Sequence, residues 1–548
     1  MAQLDRLGPA RGLAQVGACI GRQFSFELLR DVTQIENLPL TDGLEELTAA
    51  GIIQRRGTPP DATYSFKHAL IQDAAYGSLL RSRRKELHTR TASMIEEHYP
   101  ERTRNEPEIL AYHWTEADDV PNAVKYWHRA SRIAIQKSAY VESIRHLDRG
   151  LQLLEGTPAD EARWARELEL LADLGPARIA TQGYASPEVE RIYAQALELC
   201  GKVGDVSQRV RALLGQGIYH TLRADYSKGW EVSEQALALS TQAGNSVFEV
   251  DSRIALGTNA LFFGRFEQAY EYYTGAYSQW KQTDRQTIEK AFKFATDAGV
   301  VSLSYGARAL WFLGFPDRAL ALAQQGLELA RDLDHSLSIA QAWCLLANIH
   351  QVRGEVAQTL DVAEQVIEYS NERGYPYWSA LAAIIHGWAM ANHDDPASGA
   401  TKIRTYLDAY TGTGARLGRS WFLALLADAE RKRGNVAGAL EAVAQGLEVV
   451  EQTGEAYYAA ELHRLHGELL DVSSPGAGTS ALVRSLELAR GQRAKSLELK
   501  SALVIAQGHH AAERPGEAHA ILAPVLASLP EDGESRDVQI ARELLASA

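Results

Sequence analysis

The sequence predicts a mainly α-helical protein, in which a small domain of helices and one hairpin precedes a long superhelical solenoid of paired helices. Small residues recur in two columns about forty residues apart, and a fixed period in that range is typical of stacked helical units. The chain has 548 residues, which is too many for one compact core unless that core is one-dimensional. Near residue 52 the helical period gives way to a short strand pattern.

The two columns of small residues give the register of eight repeats, each read as two helices. A small residue is needed in each helix because the paired helices approach closely there. The first column consists of Gly217, Gly257, Ala307, Ala347, Gly387, Ala427, Gly467 and Ala506. The second column consists of Gly229, Ala269, Ala319, Thr359, Gly399, Ala439, Gly478 and Ala518. One longer step precedes Ala307.

Segments of this array resemble the tetratricopeptide repeat family, among them ALGTNALFFGRFEQAYEYYTGAYSQW (255–280) and LLADAERKRGNVAGALEAVAQGLEVV (425–450). The usual unit of that family has about thirty-four residues, so these units are longer by roughly six. The resemblance implies an α-α superhelix whose concave face is lined by the first helix of each unit.

The first hundred residues predict a winged helix. Thr41 or Asp42 can cap the third helix and Gly51 ends it. A hairpin follows, with IIQRRG and TYSFKH joined by a turn at Thr58–Asp61. The predicted helices are Pro9–Ile20, Phe26–Val32, Thr41–Ala50, Ala69–Leu80 and Ser82–His98.

Three segments, at residues 4–29, 64–92 and 492–507, resemble the region that follows the ATPase module in bacterial signal-transduction ATPases, often fused to class III adenylate or guanylate cyclase domains. The resemblance implies a regulatory region that lacks its catalytic modules. We therefore expect a winged-helix domain at 1–100, a helical transition with degenerate first repeats at 101–200, and the solenoid at 201–548. A cognate ATPase or cyclase domain is the partner that the resemblance implies.

The segment FKHALIQDAAY (66–76) is similar to the Met-His-Asp motif of related nucleotide-switch proteins. His68 falls on the histidine of that motif, whereas Lys67 and Ala69 replace its Met and Asp. The resemblance implies that Lys67 and His68 sense the phosphates of a nucleotide. A helix N-terminus favours anions, which fits this role. The alternative is that His68 only ends the strand and bonds a local carbonyl group.

The sequence predicts no catalytic site, no metal site and no cofactor. Gly201-Lys202-Val203 lacks the preceding glycine and the following hydroxyl of a phosphate-binding loop. ATP or ADP is therefore expected only with an added nucleotide-binding domain. Cys19, Cys200 and Cys344 have no paired spacing, which favours a reducing, cytoplasmic location. We find neither a signal peptide nor a membrane-spanning run.

Charge argues against nucleic acid as a partner. Residues 1–100 hold twelve basic and twelve acidic side chains, so the formal net charge of −14 comes from the rest of the chain. The alternative function is a winged-helix DNA-binding regulator with a repeat sensor domain. It depends on one basic cluster, which consists of Arg81, Arg83, Arg84 and Lys85.

The concave face of the solenoid is the predicted partner groove. Aromatic side chains beside amide and charged groups suit an extended peptide or protein segment. The alternative is that Trp311 and Trp388 are ordinary contacts between helices. The predicted groove residues are Phe262, Arg308, Trp311, Asn348, Gln351, Trp388, Asn392, Asp428 and Arg431.

Overall fold

The computed structural model describes residues 7–284, 296–532 and 535–547, and these residues form a mainly α-helical protein with one small sheet, as predicted. The three strands are β1 Gln23–Ser25, β2 Ile53–Arg56 and β3 Thr63–Phe66. The helices in the described residues are α1 Ala10–Ile20, α2 Phe26–Thr33, α3 Asn37–Ala49, α4 Ala69–Gly77, α5 Arg81–His98, α6 Pro100–Asn105, α7 Pro107–Glu116, α8 Val120–Gln136, α9 Tyr140–Glu155, α10 Glu161–Gln182, α11 Pro187–Cys200, α12 Val206–Leu222, α13 Tyr226–Gln242, α14 Ser246–Phe262, α15 Phe266–Gln282, α16 Ala298–Phe312, α17 Pro316–Asp332, α18 Ser336–Val352, α19 Val356–Glu372, α20 Pro376–His393, α21 Pro396–Gly412, α22 Arg419–Lys432, α23 Val436–Thr453, α24 Ala459–Ser473, α25 Thr479–Gly491, α26 Lys495–Ala511, α27 Pro515–Ala527 and α28 Arg536–Ala546. None of the helices in these ranges combines the length and the apolar character needed to cross a bilayer.

Contacts between residues divide the chain into two compact units between Leu170 and Leu171. We call them the amino-terminal unit and the repeat unit. The three-part division at residues 100 and 200 stays a prediction. Residues 4–6, at the start of the first quoted ATPase-like segment, lie outside the described residues.

The amino-terminal unit begins with α1, β1, α2, α3, β2 and β3 in that order, and the antiparallel strands are arranged β1-β3-β2. The predicted helices and hairpin are present, whereas β1, with three residues, is too short to have shown a pattern. The core of the amino-terminal unit includes Phe24, Phe26, Tyr64 and Phe66, each at most 3% exposed.

The third helix differs from its prediction at the amino end. It begins at Asn37 after Glu36, and no side chain caps it there. The expected caps, Thr41 and Asp42, lie inside the helix, where the Thr41 hydroxyl donates to the Asn37 carbonyl at 2.8 Å. Pro39 permits this early start because a proline within the first helical turn removes no intrahelical hydrogen bond. Gly51 follows the helix with a φ of +74°, as a helix-ending glycine should.

The repeat unit confirms the predicted register. The first column of small residues lies in the first helix of each repeat (α12 and every second helix to α26), and the second column lies in or directly before the second helix. All sixteen positions are buried. At Gly387 and Gly399 the backbones of α20 and α21 meet, because a Cβ atom added to Gly399 would lie 2.5 Å from the Gly387 oxygen. The longer step before Ala307 includes residues 285–295, which lie outside the described residues.

The array closes on itself after five repeats. The last four carbonyl groups of a helix have no partner within it. The Leu222 carbonyl, at the end of α12, accepts from the backbone N–H groups of Arg416 and Leu417 at 2.7 and 3.1 Å, just before α22. The Phe262 carbonyl, at the end of α14, accepts from Ala456 and Tyr457 at 2.9 and 3.2 Å, just before α24. Repeats six and seven therefore lie against the carboxyl ends of the first helices of repeats one and two.

Candidate binding site inside the repeat array

The predicted groove is largely filled with side chains. Six of its nine residues are at most 8% exposed, and they are Phe262, Arg308, Trp311, Asn348, Gln351 and Trp388. Asn392, Asp428 and Arg431 are half-buried. The expectation of exposed aromatic side chains on this face is wrong for Phe262, Trp311 and Trp388. The reason is the second superhelical turn, which packs against the carboxyl-terminal halves of the first helices.

Arg308 shows how completely this part of the interior is filled. Its guanidinium carbon lies 5.2 to 6.0 Å from the ring centres of Phe262, Tyr305, Trp421 and Tyr457. The Nη2 group donates to the Tyr457 hydroxyl at 3.4 Å. Trp421 and Tyr457 belong to the second turn, whereas Phe262 and Tyr305 belong to the first. The aromatic faces stabilise the buried cation and join the two turns around it.

Asp428 organises the other end of the predicted groove. Its Oδ2 atom accepts from Trp388 Nε1 at 3.0 Å and from Asn392 Nδ2 at 3.1 Å. Its Oδ1 atom accepts from Arg431 Nη2 at 2.6 Å. These four predicted residues are therefore brought together by the fold, and Trp388, Asn392 and Arg431 each donate to the Asp428 carboxylate. Contact of the nine residues with a partner stays a prediction.

A buried carboxylate, Glu455, fixes the closure of the superhelix. The side chain is fully buried and accepts from the backbone N–H groups of Gly418 at 3.0 Å and Ser420 at 2.8 Å. The hydroxyl groups of Ser420 and Tyr226 also donate to it. Burial raises the pKa of Glu455, whereas the hydrogen bonds oppose that effect. Because Tyr226 begins α13 and Glu455 precedes α24, this carboxyl group joins the first turn to the second.

One open part of the interior is a cavity of about 150 Å³ at the amino-terminal halves of most of the surrounding first helices. Five successive repeats contribute to its lining from their first helices. One residue from each of α12, α14, α16, α18 and α20 illustrates this arrangement, and these are Ile218, Asp251, Tyr305, Gln341 and Trp378. None of the nine predicted groove residues lines this cavity.

Three polar atoms in the lining are buried without a hydrogen-bond partner among the described residues. They are Oδ2 of Asp251, Oε1 of Gln341 and Nε1 of Trp378. Gln341 and Trp378 are each 3% exposed, whereas the Asp251 residue is half-buried and its Oδ2 atom is inaccessible. Burial raises the pKa of Asp251 well above its ordinary value, the Asp297 carboxylate adds to this, and Arg211 opposes it.

Lys67 and His68 are exposed in the amino-terminal unit. His68 directly precedes α4 with an extended backbone, and its side chain makes no capping hydrogen bond. Its carbonyl group accepts from the Ile71 N–H at 3.1 Å. The two side chains thus lie at a helix N-terminus, but nothing in this geometry identifies a nucleotide. Their sensing role stays a prediction.

The basic cluster is engaged within its own unit. Arg83 pairs with Glu86 at 2.5 Å, and Lys85 pairs with Asp118. The Arg84 guanidinium lies 5.0 Å from the centre of the Tyr76 ring. Arg81 is exposed at the start of α5. These contacts fit the structural interpretation of the cluster and give no support to a DNA-binding surface.

A buried histidine pair in the amino-terminal unit was not predicted. His88 Nδ1 lies 2.8 Å from His113 Nδ1, and His88 Nε2 lies 3.1 Å from the Tyr76 hydroxyl, which donates to Glu116. This order requires His88 to carry its proton on Nε2 and His113 on Nδ1. Burial lowers the pKa of His88 to about 4 and that of His113 to about 3. Within the described residues, no group of three His, Cys, Asp or Glu side chains is placed to hold a metal ion.

The comparisons with known proteins agree with the fold. No family model matches the chain. It is 24% identical over 468 residues to an uncharacterized protein of Rhizobium meliloti (strain 1021), and this match covers 84% of the chain and 45% of that protein. The chain thus spans less than half the length of this curated relative.

Among solved structures, the chain is similar to a Rap protein complexed with competence and sporulation factor, with a TM-score of 0.50, 12% identity, and coverage of 70% of this chain and 99% of that chain. A Signal Transduction ATPase with Numerous Domains and a tetratricopeptide repeat sensor, from Pyrococcus horikoshii, has a TM-score of 0.34 at 12% identity over 73% of this chain and 62% of that chain. The apo quorum sensor NprR from B. thuringiensis has a TM-score of 0.40 at 15% identity over 65% and 97% of the two chains. The first likeness shows the fold alone, and the other two carry no argument about this chain.

Proposed function

We propose that this chain is a non-catalytic sensor region that binds a protein or peptide through the interior of its repeat unit. The amino-terminal unit then couples ligand binding by the array to a nucleotide-switch ATPase or cyclase module. The observation that carries the proposal is the cavity surrounded by the first helices of five successive repeats. A ligand there contacts many repeats at once, so binding can alter how they pack against one another.

The filled interior defines how such a partner binds. The second turn occupies the surface beside Arg308, where an extended segment was expected to lie. The cavity of about 150 Å³ admits a side chain or a chain end, not a long segment. The partner therefore inserts one residue, and the rest of its surface contacts the rim.

One feature fits the binding part of the proposal and another fits the coupling part. The Rap protein of similar fold was solved in complex with competence and sporulation factor, which fits binding by the array. The exposed Lys67 and His68 precede a helix of nine residues, whose free N–H groups favour an anion such as a phosphate. In this proposal residues 1–100 form a winged helix, and His68 reports nucleotide state when an ATPase module is present.

Binding is tested with a library of displayed peptides that have free amino termini. Peptides that bind the immobilised full chain are selected from this library. The selected peptides are then titrated against wild type and Ile254→Trp, which fills the cavity from a half-buried lining position. The matched control is Thr274→Trp, which adds the same bulk at an exposed position on the second helix of the same repeat. We expect at least a tenfold loss of affinity for Ile254→Trp only. Equal affinities for all three proteins would refute binding in the array interior.

Coupling is tested by adding the cognate ATPase module and measuring its ADP affinity with wild type and His68→Ala. His98→Ala is the control, since His98 is an exposed histidine of the same unit. We expect weaker ADP binding for His68→Ala alone. Equal ADP affinity and equal basal activity would remove His68 from the mechanism and leave peptide binding as a separate result.

A further inference from the structure

The two turns of the superhelix meet at positions that recur every forty residues along the second turn. The carbonyl groups of Leu222 and Phe262, which end the first helices of repeats one and two, each accept from two consecutive backbone N–H groups. These N–H groups belong to residues 416–417 and 456–457, so each helix end is bound by a short stretch of peptide backbone. At repeat three, forty residues further along, the Ser496 hydroxyl donates to the Trp311 carbonyl instead.

At repeat four a cavity of about 480 Å³ takes the place of this contact, and we call it the edge cavity. Val352 ends α18 as Leu222 ends α12, and the next step of forty residues leads from Ser496 to Arg536 at the start of α28. Val352 and Arg536 both line the edge cavity. Among the residues that the structure describes, no backbone N–H group of the second turn donates to Val352.

The carboxyl end of α18 has the same local structure as the two helix ends that are bound. In α12, α14 and α18 the three carbonyl groups before the last one accept from the N–H groups that directly follow the helix. The last carbonyl group is the one that the second turn binds at Leu222 and Phe262, and in α18 it belongs to Val352. Carbonyl groups at the carboxyl end of a helix point out of that end. Because Val352 and residues 353–355 all line the edge cavity, this end of α18 opens into it.

Hydrogen bonds hold two walls of the edge cavity in place. Asp532 Oδ2 accepts from the backbone N–H groups of Asp317 and Arg318 at 2.9 and 3.2 Å, which fixes the segment before α28 to α17. On the other side Arg353 donates to Asp317 Oδ1 at 2.9 Å and to Glu355 Oε1 at 2.7 Å. Asp317 therefore connects both walls. Largely preformed sites of about 300–1,000 Å³ are typical of ligand binding, and the edge cavity lies within that range.

The lining of the edge cavity suits an uncharged ligand that has apolar groups and hydrogen-bonding groups. Trp311, Leu499 and Leu526 contribute apolar surface. Basic and acidic side chains are nearly balanced, so neither an anion nor a cation is strongly favoured. The charged residues of the lining are Arg353, Arg536, Arg542, Glu355, Glu531, Asp532 and Asp537.

We propose that the edge cavity binds a short segment of a partner polypeptide, of which two consecutive backbone N–H groups donate to the Val352 carbonyl. The second residue of the pair is apolar, as are Leu417 and Tyr457 at repeats one and two, where each is at most 4% exposed. Its side chain packs on the apolar part of the lining. The partner thus makes at repeat four the contact that this chain makes with itself at repeats one and two. This site is separate from the cavity of the proposed function and does not depend on it.

Titration calorimetry on the full chain tests the proposal with two acetylated and amidated tetrapeptides, which copy residues 415–418 (Ala-Arg-Leu-Gly) and 455–458 (Glu-Ala-Tyr-Tyr). We expect at least one of them to bind wild type. N-methylation at its second and third residues removes the two N–H donors and should weaken binding at least tenfold. N-methylation at the fourth residue is the control and should change the affinity less than threefold.

Variants of the chain locate the bound peptide. Leu526→Trp fills the edge cavity from a half-buried position on α27 and should weaken binding at least tenfold. Ile521→Trp is the matched control, because Ile521 is half-buried on the same helix and does not line the cavity. Ile254→Trp, in the cavity of the proposed function, should also bind as wild type does.

A second pair of variants serves if Leu526→Trp does not fold. Glu531→Trp adds bulk at an exposed position of the lining, and Gln539→Trp does so at an exposed position of α28 outside the lining. The proposal is overturned if neither peptide binds wild type, or if the lining variant and its control bind equally. It is also overturned if methylation of the second and third residues leaves the affinity unchanged, or if Ile254→Trp removes binding.

Discussion

Replacing Gly399 by alanine tests the register on which the repeat unit depends. The added Cβ atom would lie 2.5 Å from the Gly387 oxygen and 2.7 Å from the Ala391 nitrogen. Ordinary contacts of a Cβ atom begin at 3.4 Å, so α20 and α21 must separate by about 0.9 Å. Both near atoms belong to the backbone, and therefore no side-chain rotation relieves the contact.

The magnitude follows from two opposing effects. Alanine is favoured over glycine within a helix by about 0.8–1.0 kcal/mol. Overpacking costs about 1–3 kcal/mol, and a gap of 0.5–1 Å between the helices loses a quarter to a half of their dispersion energy. We expect a net decrease of about 1–3 kcal/mol in the free energy of unfolding.

Thermal melting followed by circular dichroism measures the effect, and amide hydrogen exchange locates it. A solenoid unfolds with local coupling, so faster exchange should concentrate in Pro376–Gly412. Gly412→Ala is the matched control, because it ends the same helix and its added Cβ atom would meet nothing within 4 Å. The reasoning is refuted if Gly399→Ala melts at or above the temperature of wild type, as Gly412→Ala should.

Three further predictions concern buried polar groups. Glu455→Ala should lower the free energy of unfolding by about 3–5 kcal/mol, because it leaves buried donors without an acceptor. Denaturant titrations measure this change. An equal effect of Glu451→Ala, at an exposed position, would contradict the prediction. Arg308→Lys should lower the melting temperature, with a cost of about 1–3 kcal/mol, because an ammonium group cannot stack on four rings as a guanidinium does. An unchanged melting temperature would show that stacking on these rings does not stabilise the fold. Burial lowers the pKa of His88 to about 4 and that of His113 to about 3, although Glu116 opposes the effect on His88. Below pH 6.5 the unfolded chain therefore binds more protons than the folded chain. The free energy of unfolding decreases as the pH falls from 6.5 toward 4. The protection factors of amide hydrogen exchange in α5 and α7 should therefore fall on acidification in wild type and fall less in His113→Leu, and identical profiles would contradict the assignment.

The sequence by itself determined the repeat and its pairing of helices. Gly387 and Gly399 indicate a close contact between two helices, because only small residues permit such a contact. The need for small residues arises within one repeat, so the sequence of that repeat is enough to show it. Helix ends were less certain, as α3 shows. Its start at Asn37 depends on Pro39 fitting a first turn, whereas the sequence also offered Thr41 and Asp42 as caps.

Only the tertiary structure decided whether the concave face is open. The closure of the superhelix after five repeats is the sum of small rotations between neighbours, and no single repeat encodes that sum. This closure brings Tyr457 onto Arg308 and Glu455 onto Tyr226, residues separated by 149 and 229 positions in the chain. The same sum brings Asp251 and Gln341 to one cavity. In the sequence each is one polar residue within an amphipathic helix. Its position beside the cavity depends on the other helices that the superhelix places around it.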